Sequence, residues 1–291
     1  MAELLKAKPV LSKIYTQLQL DIDSLNKKPC LEIILIGEDA AAEWYVSNLQ
    51  KKGTKYGVQV NLRKFSVDLT QEELENQITE LNNDDDIDGI MLQKPLPEQI
   101  DEHVINSLIK PSKDVDGFHP INLGKLMLEQ PALLPCTPQA VIEIIKFYQI
   151  ETTGKHIVIL GRSNIVGKPL GLLLLSKTPQ GNATVTICHS KTQNLSAVTQ
   201  QADILIVAIG KAEFVKPEMI KENSIIIDVG TNLMVDAEGN EKYVGDVDAE
   251  AVFNKAFALS PVPGGVGSVT TALLLANVVK SVKLRQKKLF Y

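Results

Sequence analysis

The sequence predicts an α/β fold of two lobes around a cleft, and three observations carry that reading. Short aliphatic and β-branched runs alternate with longer stretches at helical spacing, an order that makes right-handed βαβ units and a mostly parallel sheet. The chain has 291 residues, more than one domain usually holds. Several segments that follow the strand-like runs are dense in Pro and Gly, which fix a backbone at rigid or close-approach positions. Ligands of parallel sheets collect at such strand ends.

The first half reads as follows. Met1 to Asp21 mixes Lys, Glu and Gln with apolar residues at helical spacing. Leu31–Ile36 is a buried strand, since it is nearly all Leu and Ile and ends in Gly37. Ala40–Tyr56 is a helix closed by Gly57, and Val58–Phe65 is a second strand. Thr70–Leu81 is a helix, with Thr70 and Glu73 placed as a capping box. Asp88–Leu92 is a third strand that runs into the rigid turn Lys94–Pro97, and a helix follows around Glu102–Ile109. Three loops leave strands here: Gly37–Glu43, Gln93–Pro97 and Asp114–Pro120.

A second unit begins near Pro138. Gln139–Tyr148 reads as a helix capped by Thr137. Lys155–Leu160 is a strand ending in Gly161, and a loop and helix occupy Arg162–Ser176. Strands follow at Thr184–Cys188, Asp203–Ala208 and Ser224–Val229, with a short segment at Tyr243–Asp246. Ser268–Lys287 reads as a long amphipathic helix.

Composition excludes several classes. The net charge is −5 and both signs are spread along the chain, with no basic block to follow a phosphate backbone, so nucleic acid is not expected as a partner. Cys30, Cys136 and Cys188 are far apart with no CxxC, which argues for buried thiols in a reducing compartment rather than a disulfide framework or a zinc site. His103, His156 and His189 form no pair with metal-ligand spacing, so no metal is expected. The N-terminus lacks the unbroken apolar core of a signal peptide, and no apolar run is long enough to span a bilayer. A soluble, cytoplasmic protein is the expectation.

Residues 157–171 carry the first chemical signal. An apolar strand stops at Gly161 and a helix starts near Val166, so backbone N–H groups and the helix dipole would favour a pyrophosphate. The glycines stand at 161 and 167 rather than in the GxGxxG spacing, so a plain βα turn is the competing reading. The next strand ends Cys188-His189-Ser190-Lys191, without the carboxylate that usually holds the ribose hydroxyls of NAD. Arg162 and Ser190, with Lys191 nearby, could instead hold a ribose phosphate, which favours NADP over NAD.

Four loops remain: Gly37–Tyr45, Gln93-Lys94-Pro95-Leu96-Pro97, Lys113-Asp114-Val115-Asp116-Gly117-Phe118-His119-Pro120, and Ser260-Pro261-Val262-Pro263-Gly264-Gly265-Val266-Gly267. Beside a dinucleotide turn they look like a preorganised substrate cleft. With Pro135-Cys136-Thr137-Pro138, the 161–169 turn and Cys188–Thr192, this ordered set resembles the methylenetetrahydrofolate dehydrogenase/cyclohydrolase family over nearly the whole chain.

That resemblance implies a dimeric, bifunctional enzyme of one-carbon metabolism. Such an enzyme passes a hydride from methylene-tetrahydrofolate to NADP, then hydrolyses methenyl- to formyl-tetrahydrofolate. It implies a folate-binding catalytic domain over 1–138, completed by a C-terminal helix at 268–291, and an NADP-binding Rossmann-like domain over 139–267. Carried over by position, Tyr45 would stack on the folate, Asp116 would pair with the pterin, and Gln93 would assist at the reacting carbon. Pro263, Gly264 and Gly265 would allow close approach of the two ligands. Gly161, Arg162, Ser163, Val166, Gly167, Ser190, Gly210 and Thr270 would line the cofactor site.

Two departures stand out. The family's Tyr-x-x-x-Lys helix motif reads Tyr45-Val46-Ser47-Asn48-Leu49 here, so leucine occupies the position of the family's catalytic lysine. Leucine carries no proton, and Lys51 and Lys52 are out of register with it. The second departure, Ser268-Val269-Thr270-Thr271, changes only a local turn. The expectation is a dehydrogenase with lost or weak cyclohydrolase activity. The alternatives are a fully bifunctional enzyme using another group, a non-catalytic folate- or NADP-binding paralogue, and a shikimate-dehydrogenase-like oxidoreductase.

Overall fold

A computed structural model describes residues 1–235, 239 and 241–287. In chain order its elements are β1 (Glu3–Leu4), α1 (Ala7–Asp23), β2 (Cys30–Ile36), α2 (Ala40–Tyr56), β3 (Gln59–Phe65), α3 (Gln71–Asn83), β4 (Gly89–Leu92), α4 (Glu102–Leu108), α5 (Pro120–Met127) and α6 (Cys136–Phe147). They continue with β5 (His156–Leu160), α7 (Gly167–Leu175), β6 (Thr184–Cys188), α8 (Leu195–Thr199), β7 (Ile204–Val207), a 3-10 turn at Pro217–Met219, β8 (Ile225–Asp228), β9 (Asn232–Val235), β10 (Glu241–Val244), α9 (Ala249–Val252), β11 (Ala258–Leu259) and α10 (Val266–Gln286). The chain divides into two compact units. The last four residues of the segment assigned to 268–291 lie outside the described residues.

One unit comprises Lys13–Pro135 and the chain from Thr271. Its sheet is β3-β2-β4, all parallel, with Leu31 opposite Val60 on one side and Gly89 on the other. All seven residues of β2 are buried, as a central strand covered on both faces requires. Ile34, Ile36, Ile90 and Leu92 pack with Leu74, Ile78 and Leu81 of α3 and Ile105 of α4. The Thr70–Glu73 capping box that starts α3 is present, and Asp39 caps α2 through the Ala42 N–H at 2.7 Å.

The expected amphipathic C-terminal helix is instead buried on nearly every side: Ala272, Leu273, Leu274, Leu275, Val278, Val279 and Val282 are all core residues. Its polar side chains serve backbone groups within this unit. Asn277 donates to the Val115 and Leu134 carbonyls at 2.8 and 2.9 Å. Ser281 donates to the Asp88 carbonyl at 2.7 Å. Asp88, fully buried, accepts from the Cys30 N–H at 2.9 Å and pairs with Arg285.

The other unit comprises Met1–Ser12 and Cys136–Thr270. Its six-stranded parallel sheet runs β1-β11-β8-β7-β5-β6. Its core joins Val158, Leu160, Leu205, Val207, Ile226 and Leu259. β1 belongs to this sheet because Glu3 and Leu4 pair with Ala258 and Leu259. A two-residue strand has no periodicity to read, and neither β1 nor β11 was foreseen. The Tyr243–Asp246 segment is not a member of the sheet: β10 folds back on β9 as an antiparallel pair. Thr137 is not a cap either. α6 already starts at Cys136, and Pro138 sits in its first turn, where the missing N–H has no helical partner to lose.

Replacing Asn277 by Leu should remove two hydrogen bonds, those to the Val115 and Leu134 carbonyls. It is expected to lower unfolding free energy by about 3 kcal/mol, measured by urea denaturation; a loss under about 1 kcal/mol would show that those carbonyls find other partners.

Candidate active site

The first pocket forms in the unit of the three-stranded sheet. It encloses about 220 Å³ and is lined by Tyr45, Met91, Leu92, Gln93, Lys94, Asp116 and Phe118. Three elements supply it. Tyr45 comes from α2, Gln93 and Lys94 follow the end of β4, and Asp116 and Phe118 lie on the loop before α5. That loop reaches the strand end because it runs beside β4: the Ile90 N–H donates to the Lys113 carbonyl at 2.8 Å, and Ile90 and Asp114 form a parallel bridge.

Asp114 then folds the loop. Its buried carboxylate accepts from the N–H groups of Phe118 and His119, at 3.1 and 2.8 Å, and from Asn122 at 2.8 Å. Lys113 is buried as well and donates to the Leu81 carbonyl at the end of α3 at 2.8 Å. Burial brings its amine down to about 8, helped by the nearby charges of Arg285 and Lys110. Both side chains anchor the segment that carries Asp116.

Within the pocket, the Asp116 carboxyl has no hydrogen-bond partner among the described residues. Burial pushes it up to about 7, the Asp114 carboxylate adds to the rise, and Lys94 opposes it. Gln93 donates to the Lys94 carbonyl at 3.0 Å, while its Oε1 is buried without a partner. Lys94 pairs with Glu102, and its ammonium lies 4.7 Å from the Phe118 ring centroid. The pocket therefore brings together an aromatic face, a buried acceptor without a partner and a raised carboxyl. Lys94 and Phe118 were not singled out from the sequence, although a lysine inside a Pro-rich strand-end loop was a usable signal.

Leu49 stands one turn beyond Tyr45 on α2 with 0% exposure, and it is not a lining residue. Lys51 is exposed. Lys52 is half-buried, which lowers its amine from the ordinary value, and it does not line the pocket.

The second pocket forms in the unit of the six-stranded sheet. It encloses about 290 Å³ and is lined by Leu160, Gly161, Arg162, Ser163, His189, Ser190, Leu195, Ala208, Ile209, Lys211 and Phe214. Two glycines shape its turn. Gly161 has φ +131°, and a Cβ there would lie 2.2 Å from the Ala208 carbonyl oxygen. A Cβ on Gly167 would lie 2.1 Å from the Gly161 oxygen, so the start of α7 approaches the strand end as closely as backbone allows. Ser163 Oγ accepts from the Val166 N–H at 3.1 Å. These are the features of a phosphate-binding βα turn, despite the altered glycine spacing.

Of the remaining cofactor candidates, Val166 and Gly167 start α7, and Gly210 lies between the lining residues Ile209 and Lys211 but is not itself one. Thr270 lies in the first turn of α10, where its hydroxyl donates to the Gly267 carbonyl at 2.9 Å, and it does not line this pocket. Lys191 does not line it either, because the turn after β6 closes on itself: the Lys191 N–H donates to His189 Nδ1 at 3.1 Å and the Thr192 N–H to the His189 carbonyl at 2.9 Å. In the 260–267 loop, Gly264 has φ +98°, and a Cβ on Gly265 would lie 2.4 Å from the Pro261 oxygen. Pro263, Gly264 and Gly265 belong to this second unit and line neither pocket.

Comparison with known proteins agrees with both halves. The model of the tetrahydrofolate dehydrogenase/cyclohydrolase catalytic domain matches residues 5–116, and that of the family's NAD(P)-binding domain matches residues 135–286. The chain belongs to the tetrahydrofolate dehydrogenase/cyclohydrolase family. It is 46% identical over 289 residues to the bifunctional protein FolD of Acetivibrio thermocellus, covering 98% of this chain and 99% of that one. The bifunctional FolD structure from Campylobacter jejuni matches with a TM-score of 0.91 and 42% identity, over 98% of this chain and 100% of that one. The Trypanosoma brucei family member, solved with NADP cofactor and an inhibitor, matches with a TM-score of 0.89 and 32% identity, over 98% and 99% of the two chains.

The raised Asp116 carboxyl has a consequence for stability in this family member. Its folded value lies above the ordinary 3.8, so folding favours the neutral form. The stability it contributes is full below about pH 4 and is lost as pH rises toward about 7. Asp116→Asn removes that loss. Relative to the native chain, the variant should gain about 2 kcal/mol between about pH 4 and pH 8 in denaturant titrations, allowing for solvent screening in an open pocket. A pH-independent difference would contradict this assignment.

Proposed function

We propose that this protein is an NADP-dependent methylenetetrahydrofolate dehydrogenase of cytoplasmic one-carbon metabolism, acting as a homodimer, with cyclohydrolase activity lost or weak. The observation that carries the folate reading is the meeting of Tyr45, Gln93 and Asp116 in one pocket from three separate elements. The family membership and the glycine-lined turn support the dinucleotide.

In this reading Tyr45 provides the face on which the folate ring stacks. The two Asp116 oxygens accept from the amidine-like edge of the pterin, and the ionised form is the one that matches two donors. Gln93 Oε1 accepts a further hydrogen bond near the reacting carbon. Gly161, Arg162, Ser163, Val166, Gly167 and Ser190 would hold NADP, which supplies the hydride acceptor when bound. Pro263, Gly264 and Gly265 present backbone rather than side chains to a ligand, with Gly210 and Thr270 supporting the cofactor site. Hydride transfer itself asks only that the two rings be aligned, so no side-chain proton donor is needed.

Hydrolysis is different. Water must add to the methenyl carbon, the carbon–N5 bond must break, and protons must move in a confined site. The fully buried Leu49 cannot move one. In the second reading the chain is fully bifunctional and another group serves; Lys52, with its lowered amine, is the group to test.

Three outcomes are expected. NADPH should form from methylene-tetrahydrofolate, while methenyl-tetrahydrofolate hydrolysis stays near the uncatalysed rate; hydrolysis at a rate comparable to the dehydrogenase would sink the claim of loss, and Lys52→Ala would then show whether that amine carries it. Asp116→Asn should raise the KM for folate by about tenfold or more. The native kcat/KM for folate should rise with pH through about 7 as Asp116 ionises, and that rise should be absent from the variant.

A further inference from the structure

The second pocket contains a cation that the sequence motifs do not mark. We propose that Lys211, presented by the buried carboxylate of Asp246, binds the ribose phosphate that distinguishes NADP from NAD. The inference rests on the reading of this pocket as an NADP site and names its specificity-determining residue.

The lining residues include Arg162, His189 and Lys211 but no Asp or Glu. A terminal phosphate carries nearly two negative charges at neutral pH and asks for more than one cation. Arg162 has no ion-pair partner among the described residues. Lys211 has none either; its ammonium lies 5.6 Å from the centroid of Phe214, another lining residue. The pyrophosphate belongs at the glycine turn and the start of α7. His189 and Ser190, at the end of β6, mark the wall where a carboxylate would otherwise hold the ribose. Lys191, the lysine nearest to that wall in sequence, is exposed and does not line the pocket.

The loop that carries Lys211 is built for presentation. Asp246 is fully buried. Its Oδ2 accepts from the N–H groups of Ile209 and Gly210 at 2.7 and 3.0 Å. Its Oδ1 accepts from the Lys211 N–H at 2.8 Å and from Asn232 at 2.9 Å. Gly210, with φ +64°, lets three successive N–H groups converge on one carboxylate. An anion-binding nest is thereby filled from inside the protein. With those N–H groups taken, a ligand anion that reaches the loop after β7 must be met by side chains, and Lys211 is the lining cation that the loop offers.

Asp246 is itself fixed. Asp228, at the end of β8, accepts from the Asp246 and Val247 N–H groups at 3.1 and 2.9 Å. A Cβ on Gly230 would lie 2.2 Å from the Asp246 carboxyl carbon, so the chain packs against that carboxylate where only glycine fits. Asp246 is a positioning residue, acting through Lys211.

The test compares Lys211→Met, Lys211→Arg, Lys191→Met and Asp246→Asn. Each is read by kcat/KM with NADP and with NAD, and by fluorescence titration with NADPH and NADH, which needs no folate turnover. Lys211→Met should lose about tenfold in kcat/KM for NADP and in NADPH affinity, with NAD and NADH values unchanged. Lys211→Arg should retain most of the preference. Asp246→Asn should raise the KM for NADP more than it lowers kcat. Equal losses for both dinucleotides in Lys211→Met, an NADP-specific loss appearing in Lys191→Met instead, or a native protein that binds NADPH no better than NADH would each overturn the assignment. A protein that keeps the NADPH preference but turns over no folate would overturn the dehydrogenase reading and leave the Lys211 assignment standing.

Discussion

An irregular loop that leaves a buried parallel strand must find partners for its backbone N–H groups, because water does not reach them all. Both pockets depend on how this constraint is met, and both meet it with a buried carboxylate. Asp114 accepts from Phe118 and His119 and so shapes the loop that presents Asp116. Asp246 accepts from Ile209, Gly210 and Lys211 and so shapes the wall of the second pocket. A carboxylate suits the task because its two oxygens take several donors at once, and its charge strengthens each bond. The desolvation it suffers is offset only while all those donors are in place.

The same economy explains why Asp116 differs from Asp114. Burial raises the Asp114 carboxyl too, but its donors inside the protein oppose that rise. Asp116 has none, and burial, with Asp114 close by, keeps its carboxyl up to about 7. A group left in that state is unfavourable for folding and useful for binding, since a ligand that brings two donors supplies what the loop withholds. Lys94 limits the cost by its charge, while its own ammonium is held between Glu102 and the Phe118 ring.

Leu49 shows the opposite choice. A fully buried leucine stabilises α2 by roughly 2 kcal/mol of apolar burial. A lysine at that position would have to extend toward water or lose its charge. The helix is thus better packed at the place where the family resemblance puts a proton-handling side chain.

Several elements were legible because one local force governs them. The Thr70–Glu73 capping box, the Leu31–Ile36 strand and the Gly57 stop on α2 are each written in a few adjacent residues. So were the glycine turn at 161–167 and the residues Tyr45, Gln93 and Asp116, whose order along the chain carried the family resemblance. What tertiary structure decided was non-local. The pairing of Glu3–Leu4 with Ala258–Leu259 joins the two ends of the sequence. The core of one unit encloses α10, a helix that composition alone marks as amphipathic. The choice of Lys211 over Lys191 as a lining cation follows from two turns, one closed on His189 and the other on Asp246. Sequence fixes which side chains a strand or turn can offer, because those preferences act over a few residues. Which of them face a common space depends on contacts more than a hundred residues apart in some cases, and only the folded chain decides those.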